Sequence, residues 1–171
     1  MKKEQETIFL NALELNQEKL FRICSIYSKD DDDAKDLFQE VLVNVWRSMS
    51  TFKGNSAIGT WMFRVALNVC LRFKSKHTKN QNRFIKLDSI TITNFGAEEN
   101  NEVENEKLDS LRICVKELNE GDKAIVALYL EGIAYKEISS ILGLSENHIA
   151  VKVKRIKAKL LNCINKNYDR G

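Results

Sequence analysis

No proline occurs anywhere in the 171 residues of this chain, although average usage of roughly 5% would place about eight in a sequence of that length. Proline is the one residue that both removes an interior helical hydrogen bond and clashes with the preceding turn. A chain without it, 43% hydrophobic and 30% charged, is biased strongly toward helices. Its length admits one ordinary domain or two small ones. No run of about 18 apolar residues is present, so no membrane insertion is expected. The opening MKKEQETIFLNALELNQ is punctuated by Glu, Asn and Gln and does not read as a signal peptide. Cys24, Cys70, Cys114 and Cys163 each lie more than forty residues from the next. No C-x-x-C pair exists, so zinc and redox motifs are absent, no metal or other cofactor is expected, and reduced, partly buried thiols in a cytoplasm are the expectation.

Charge divides the chain into three parts. Residues 1–80 hold 13 basic and 10 acidic side chains, residues 81–107 hold 3 and 6, and residues 108–171 hold 11 and 8. Two weakly basic blocks therefore flank an acidic stretch containing FGAEENNEVENE, whose low hydrophobicity suits a flexible linker rather than a core. Ile90, Thr91, Ile92 and Thr93 alternate like a strand, but a lone strand has no partner in a helical protein and is read as extended linker. The expected fold is all-α. An N-terminal bundle of three to four helices (1–78) is joined by an acidic linker (79–104) to a C-terminal four-helix domain (105–171).

In the first block, Ile8, Phe9, Ala12, Leu13, Leu20, Ile23, Cys24 and Tyr27 fall at mostly helical spacing. Ala34, Leu37, Phe38, Val41, Leu42 and Val45 follow i, i+3, i+4, i+7, i+8, i+11 without a miss, and Met62, Val65, Ala66, Val69, Cys70 and Phe73 repeat that template. Three helices follow, with a loop from Ser48 to Gly59. The four aspartates at 30–33 resemble a metal site only at first glance; acidic residues at a helix start favour the positive end of its dipole.

The most informative stretch is YKEISSILGLSENHI, residues 135–149. Ile138, Ile141 and Leu142 give one helix its inner face, Gly143 supplies the left-handed residue of a tight turn, and Ser145 is placed to cap the next helix. That second helix buries Ile149, Val153, Ile156 and Leu160. Its other faces carry Asn147, His148, Lys152, Lys154, Arg155, Lys157 and Lys159. A Gly-turned helix pair with five cations at its exit suits a helix in a major groove, its front turns at base edges and its cations on phosphates. The plainer alternative is a helical hairpin with a solvated basic face. His148 has no Cys, His or carboxylate cluster around it, so a surface or groove-facing role is expected.

Two faces of the first block stand out. Asp36, Gln39, Glu40, Val43, Asn44 and Arg47 lie opposite the core side of the second helix, and the presence of Val43 there suggests docking of a partner. Arg64, Asn68, Arg72 and Lys79 run along the third helix. Phe52, Trp61 and Phe63 stand near the loop holding Lys53 and Asn55, and aromatics beside cations suit unstacked bases of a single strand.

Taken in order, these segments resemble the bacterial extracytoplasmic-function sigma factors of the sigma-70 family. DAKDLFQEV (33–41) with NVWR (44–47) is similar to that family's polymerase-binding helix. FKGNSA (52–57), with TWMFRVA (60–66) and Asn68, is similar to its promoter-melting segment. Residues 118–130 and 132–160 are similar to its minus-35-binding domain. The resemblance implies that Asp36, Gln39, Glu40, Val43 and Asn44 dock on the clamp helices of core RNA polymerase. It implies that Lys53, Asn55, Arg64, Asn68 and Arg72 hold the melted minus-10 strand, with one base turned out into a pocket. It further implies that Asn147, His148, Ala150, Val151, Lys152, Lys154 and Arg155 read the minus-35 duplex. An anti-sigma factor is a further expected partner, since many members of the family have one. At ~3.3 Å per residue the stretch 78–105 can span ~90 Å, against about 68 Å for two duplex turns. The sequence departs from the family's pattern at Asn119, at Ile58 and Gly59, and at Ala150 and Val151. Apolar contacts at 150–151, such as to a thymine methyl, imply an uncommon promoter sequence.

A regulator that binds only duplex through the same helix pair is the rival. It would need an effector or dimerisation domain in residues 1–80, where no nucleotide, metal or ligand motif is found. No Gly-rich phosphate loop, paired carboxylates or nucleophile–base pair supports an enzyme, and the basic cluster disfavours a protein-only adaptor.

Overall fold

The computed structural model describes residues 2–76 and 102–169. The chain divides into two compact units, Met1–Gly96 and Ala97–Gly171. The first contains α1 (Lys2–Ile26), α2 (Asp31–Ser48), a single 3-10 turn (Met49–Thr51) and α3 (Ile58–Lys76). The second contains α4 (Glu102–Lys116), α5 (Glu120–Leu130), α6 (Tyr135–Leu142) and α7 (Glu146–Asp169). The described residues are helices and their connections. α4 begins inside the stretch 79–104 read as linker, whereas residues 79–101 of it, with Ile90–Thr93 and Lys79, lie outside the described residues.

α2 forms the centre of the first unit, packed on both α1 and α3. Its apolar template is fully buried: Ala34, Leu37, Phe38, Val41, Leu42 and Val45 are each at most 1% exposed. The aspartate run starts this helix. Asp30 caps it by accepting from the Asp33 backbone N–H at 2.8 Å, and Asp33 accepts in return from the Lys29 N–H at 2.9 Å. One orphan donor of the first turn is thereby satisfied, together with the N–H of the residue before the cap. α1 contributes Phe9, Ala12, Leu13, Leu20, Phe21, Ile23 and Cys24 to the core, while Ile8, expected on the inner face, is half exposed. Phe21 meets Phe38 edge-on at 5.5 Å.

α3 buries more of its surface than one stripe. Phe63 and Leu67 are core residues together with Met62, Ala66, Val69 and Cys70. A helix wedged between two neighbours needs apolar groups over a wider arc than one lying on a surface. The approach to α1 is close at the first turn of α3, where a Cβ on Gly59 would stand 3.1 Å from Asn16 Oδ1.

In the second unit, α7 packs against α4, α5 and α6. The turn between α6 and α7 closes through Gly143, whose φ of +69° is left-handed. Its N–H and that of Leu144 both reach the Ser139 carbonyl, at 2.9 and 3.2 Å, and the Ser139 hydroxyl donates to the Leu144 carbonyl. Any side chain at 143 would be strained in this conformation.

The cysteines behave differently in the two units. Cys24 and Cys70 are buried free thiols. Burial, reinforced by the neighbouring Cys70 thiol, pushes the Cys24 thiol well above its ordinary range, so it stays protonated. Cys114 and Cys163 instead form a disulfide between α4 and α7, with their Cα atoms 5.9 Å apart. This corrects the expectation of four reduced thiols: the packing of α4 on α7 joins residues 49 apart in sequence, which spacing alone does not reveal.

Candidate nucleic-acid and polymerase interfaces

α7 owes its position to three features. Ser145 accepts from the His148 N–H at 3.1 Å and caps the helix. Ile149, Val153, Ile156 and Leu160 are buried beneath it. α5, capped by Asn119 through the Asp122 N–H at 2.9 Å, supplies the surface on which it rests. With that face fixed, the helical period turns Asn147, His148, Val151, Lys154 and Arg155 to the opposite side. All five are exposed, and Val151 remains 44% exposed despite being apolar. Ala150 is half-buried at the edge of this stripe.

Three other cations of α7, Lys152, Lys157 and Lys159, are engaged within the unit. Lys152 Nζ lies 3.4 Å from Asp122 Oδ1, and Lys159 Nζ lies 3.1 Å from Asp122 Oδ2. Burial alone would raise the Asp122 pKa. The hydrogen bond from Lys159 and the positive charge of both lysines outweigh it and hold the carboxyl below its ordinary value. Lys157 Nζ stands 4.7 Å from the centre of the Tyr129 ring, a cation–π arrangement. Of the five cations counted on the sequence, Lys154 and Arg155 are the pair that belongs to the outward stripe. Asp122 and Tyr129 were missed as determinants of this surface, because nothing local to them marks a partner on a later helix.

In the first unit, Lys53 and Asn55 are exposed in the loop before α3. Phe52 and Trp61 are both half-buried there, their rings 5.2 Å apart and tilted by 46°. Asn68 and Arg72 are exposed one turn apart on α3, with Arg72 Nε donating to the Asn68 carbonyl at 3.3 Å. Arg64 is half-buried one turn earlier. The loop and this side of α3 together make an aromatic and cationic surface; Phe63, at 4% exposure, takes no part in it.

On α2, Asp36 is exposed and Gln39, Glu40 and Asn44 are half-buried. The Asn44 amide donates to the Glu40 carbonyl at 2.8 Å and approaches Glu40 Oε1 at 3.4 Å. Val43 does not belong to this outer face: it is 8% exposed. The neighbouring Trp46 packs edge-on to Phe9 of α1 at 5.3 Å. The face of α2 suggested for docking is therefore polar, with Asp36 and Arg47 exposed on it.

The second unit is a DNA-binding helix-turn-helix domain. The chain as a whole belongs to the sigma-70 family, in its extracytoplasmic-function group. The model for sigma-70 region 2 matches residues 12–80, and that for sigma-70 region 4 matches residues 108–160. Among curated relatives, RNA polymerase sigma factor SigV of Bacillus subtilis is 25% identical over 91% of this chain and 91% of its own length. The ECF RNA polymerase sigma-E factor of Escherichia coli is 27% identical, covering 82% of this chain and 80% of its own. Two solved structures share the fold. CnrH, in complex with the cytosolic domain of CnrY, superposes with a TM-score of 0.68 at 17% identity over 94% of this chain and 90% of that one. The sigma factor RpoE from Bartonella quintana, in complex with the anti-sigma factor NepR, gives 0.62 at 18% identity over 95% and 98%. The protein is accordingly an RNA polymerase sigma factor, a component of promoter recognition in transcription initiation. Among the described residues no helix is long and apolar enough to cross a membrane.

Proposed function

We propose a division of labour between the two units, in a non-catalytic factor that acts in the cytoplasm while polymerase performs the chemistry. The first, residues 1–78, binds core polymerase through Asp36, Gln39, Glu40 and Asn44 on α2. It holds the melted minus-10 strand with Lys53, Asn55, Arg64, Asn68 and Arg72. Unstacking a base costs a few kcal/mol, and the Phe52–Trp61 pair beside exposed cations supplies interactions of the kind that offset it. Residues 79–104 link the units. The second, residues 105–171, reads the minus-35 duplex through α7, and an anti-sigma factor of the kind seen with the fold relative RpoE is the expected negative partner.

The observation that carries this reading is the outward stripe of α7. Asn147, His148, Ala150 and Val151 occupy its front turns, suited to base edges, while Lys154 and Arg155 lie one to two turns further on, suited to phosphates. Replacing Lys154 and Arg155 together by Ala will weaken duplex binding. It will also flatten the dependence of log K on log salt by up to about 1.8, roughly 0.9 for each phosphate that is no longer neutralised. Titration of a labelled duplex at several salt concentrations measures this slope. An unchanged slope removes both residues from the interface.

A further inference from the structure

We propose that Asp122 is a specificity-determining positioning residue of the helix-turn-helix, withholding two lysines of α7 from DNA phosphates and fixing how that helix presents its reading face. The inference rests on the reading of α7 as the duplex-binding helix.

Asp122 lies in the first turn of α5, and its side chain is 3% exposed. Its two oxygens are divided between two cations of one helix, Oδ1 to Lys152 at 3.4 Å and Oδ2 to Lys159 at 3.1 Å. The Asn119 amide completes the set, donating to Oδ2 at 3.3 Å. Lys152 and Lys159 are seven residues apart, so they leave α7 from nearly the same side about 10.5 Å apart along its axis. Their stems must converge on the one carboxylate. Two tethers from separate turns to a single buried point oppose both rotation of α7 about its axis and sliding along it, which one tether would not do.

The same geometry governs charge. By helical period Lys152 and Lys159 flank the edge of the reading face marked by His148 and Arg155. Cations there would meet phosphates at the side of a groove, an interaction that adds affinity without sequence information. Paired to Asp122, they are partly neutralised and turned toward α5, although Lys159 itself is 59% exposed. Asp122 thus lowers the sequence-independent part of binding while it holds the sequence-reading part in register.

The test uses the full-length chain, a 30-base-pair duplex enriched from a random-sequence pool by the wild-type protein, and a scrambled duplex of equal composition. D122N keeps the size of the side chain and removes its charge. It will steepen the salt dependence of binding to the scrambled duplex by up to about 1.8, two further phosphates neutralised at roughly 0.9 each. It will also reduce discrimination between enriched and scrambled duplex about tenfold, the order of one base pair of readout. In the wild-type background K152Q will leave the slope unchanged, and in the D122N background it will remove about half of the added steepness. A loss of stability alone moves neither slope. A slope that falls by about 0.9 in K152Q alone, or that does not steepen in D122N, overturns the proposal. Should D122N not fold, the K152Q measurement decides by itself. If the wild-type protein enriches no duplex, the reading of α7 fails, while the slopes on scrambled duplex still decide the role of Asp122.

Discussion

Reducing the Cys114–Cys163 bond will lower the unfolding temperature of the second unit by roughly 15–30 °C. The disulfide closes a loop between residues 49 apart, containing α5, α6 and most of α7, and so restricts the unfolded chain rather than adding a folded-state contact. The chain-entropy relation gives about 4 kcal/mol for a loop of that length. In a unit of this size each kcal/mol moves the transition by about 4–8 °C. Cys114 is buried, but Cys163 is half-buried, so a small thiol has a route to the bond. Calorimetry of the wild type with and without dithiothreitol, beside a Cys114→Ala, Cys163→Ala variant, measures the effect. The reduced wild type and the variant should melt together, well below the oxidised protein. In reducing surroundings the unit stands without the bond, and its stability margin shrinks accordingly. A transition that ignores the reductant would mean that the bond does not form in the folded protein or restricts nothing.

The second large effect concerns the outer face of α2. Asp36→Arg with Glu40→Arg replaces two negative charges one turn apart by two positive ones. If this face meets basic groups of polymerase, each attraction becomes a repulsion, and like charges juxtaposed across an interface cost several kcal/mol. Binding to core polymerase will weaken at least about 100-fold, which corresponds to about 2.7 kcal/mol. Duplex binding by the second unit will be unchanged, because the two substitutions lie in the other unit. Fluorescence titration of core polymerase and of duplex with the same variant measures both. Retained polymerase binding would move the docking face elsewhere on the first unit.

The parts of this molecule that could be read in the sequence are those governed by local rules. The template from Ala34 to Val45 specifies its buried face by period alone, and all six positions are buried. The α6–α7 corner was equally legible, since Gly143 and Ser145 each have one conformational task and both perform it. Reading failed where a side chain's role depends on a distant residue. Val43 is buried although its helix's period sets it opposite the core stripe. Lys152 and Lys159 look like free cations until Asp122, 30 and 37 residues earlier, is brought beneath them. The pairing of Cys114 with Cys163 is likewise a consequence of α4 packing on α7. Reading α7 by period alone therefore overcounts its free charge, because a helix period shows where a side chain starts and not what it reaches.

If the division of labour holds, this chain gives core polymerase a promoter specificity that polymerase lacks. Run-off transcription of a genomic fragment pool by core polymerase, with and without the protein, tests that most directly. Discrete transcripts that appear only with the protein are the expected result, and their start sites would give the promoter. An absence of transcripts together with an absence of core polymerase binding would contradict it and favour a regulator that binds duplex alone.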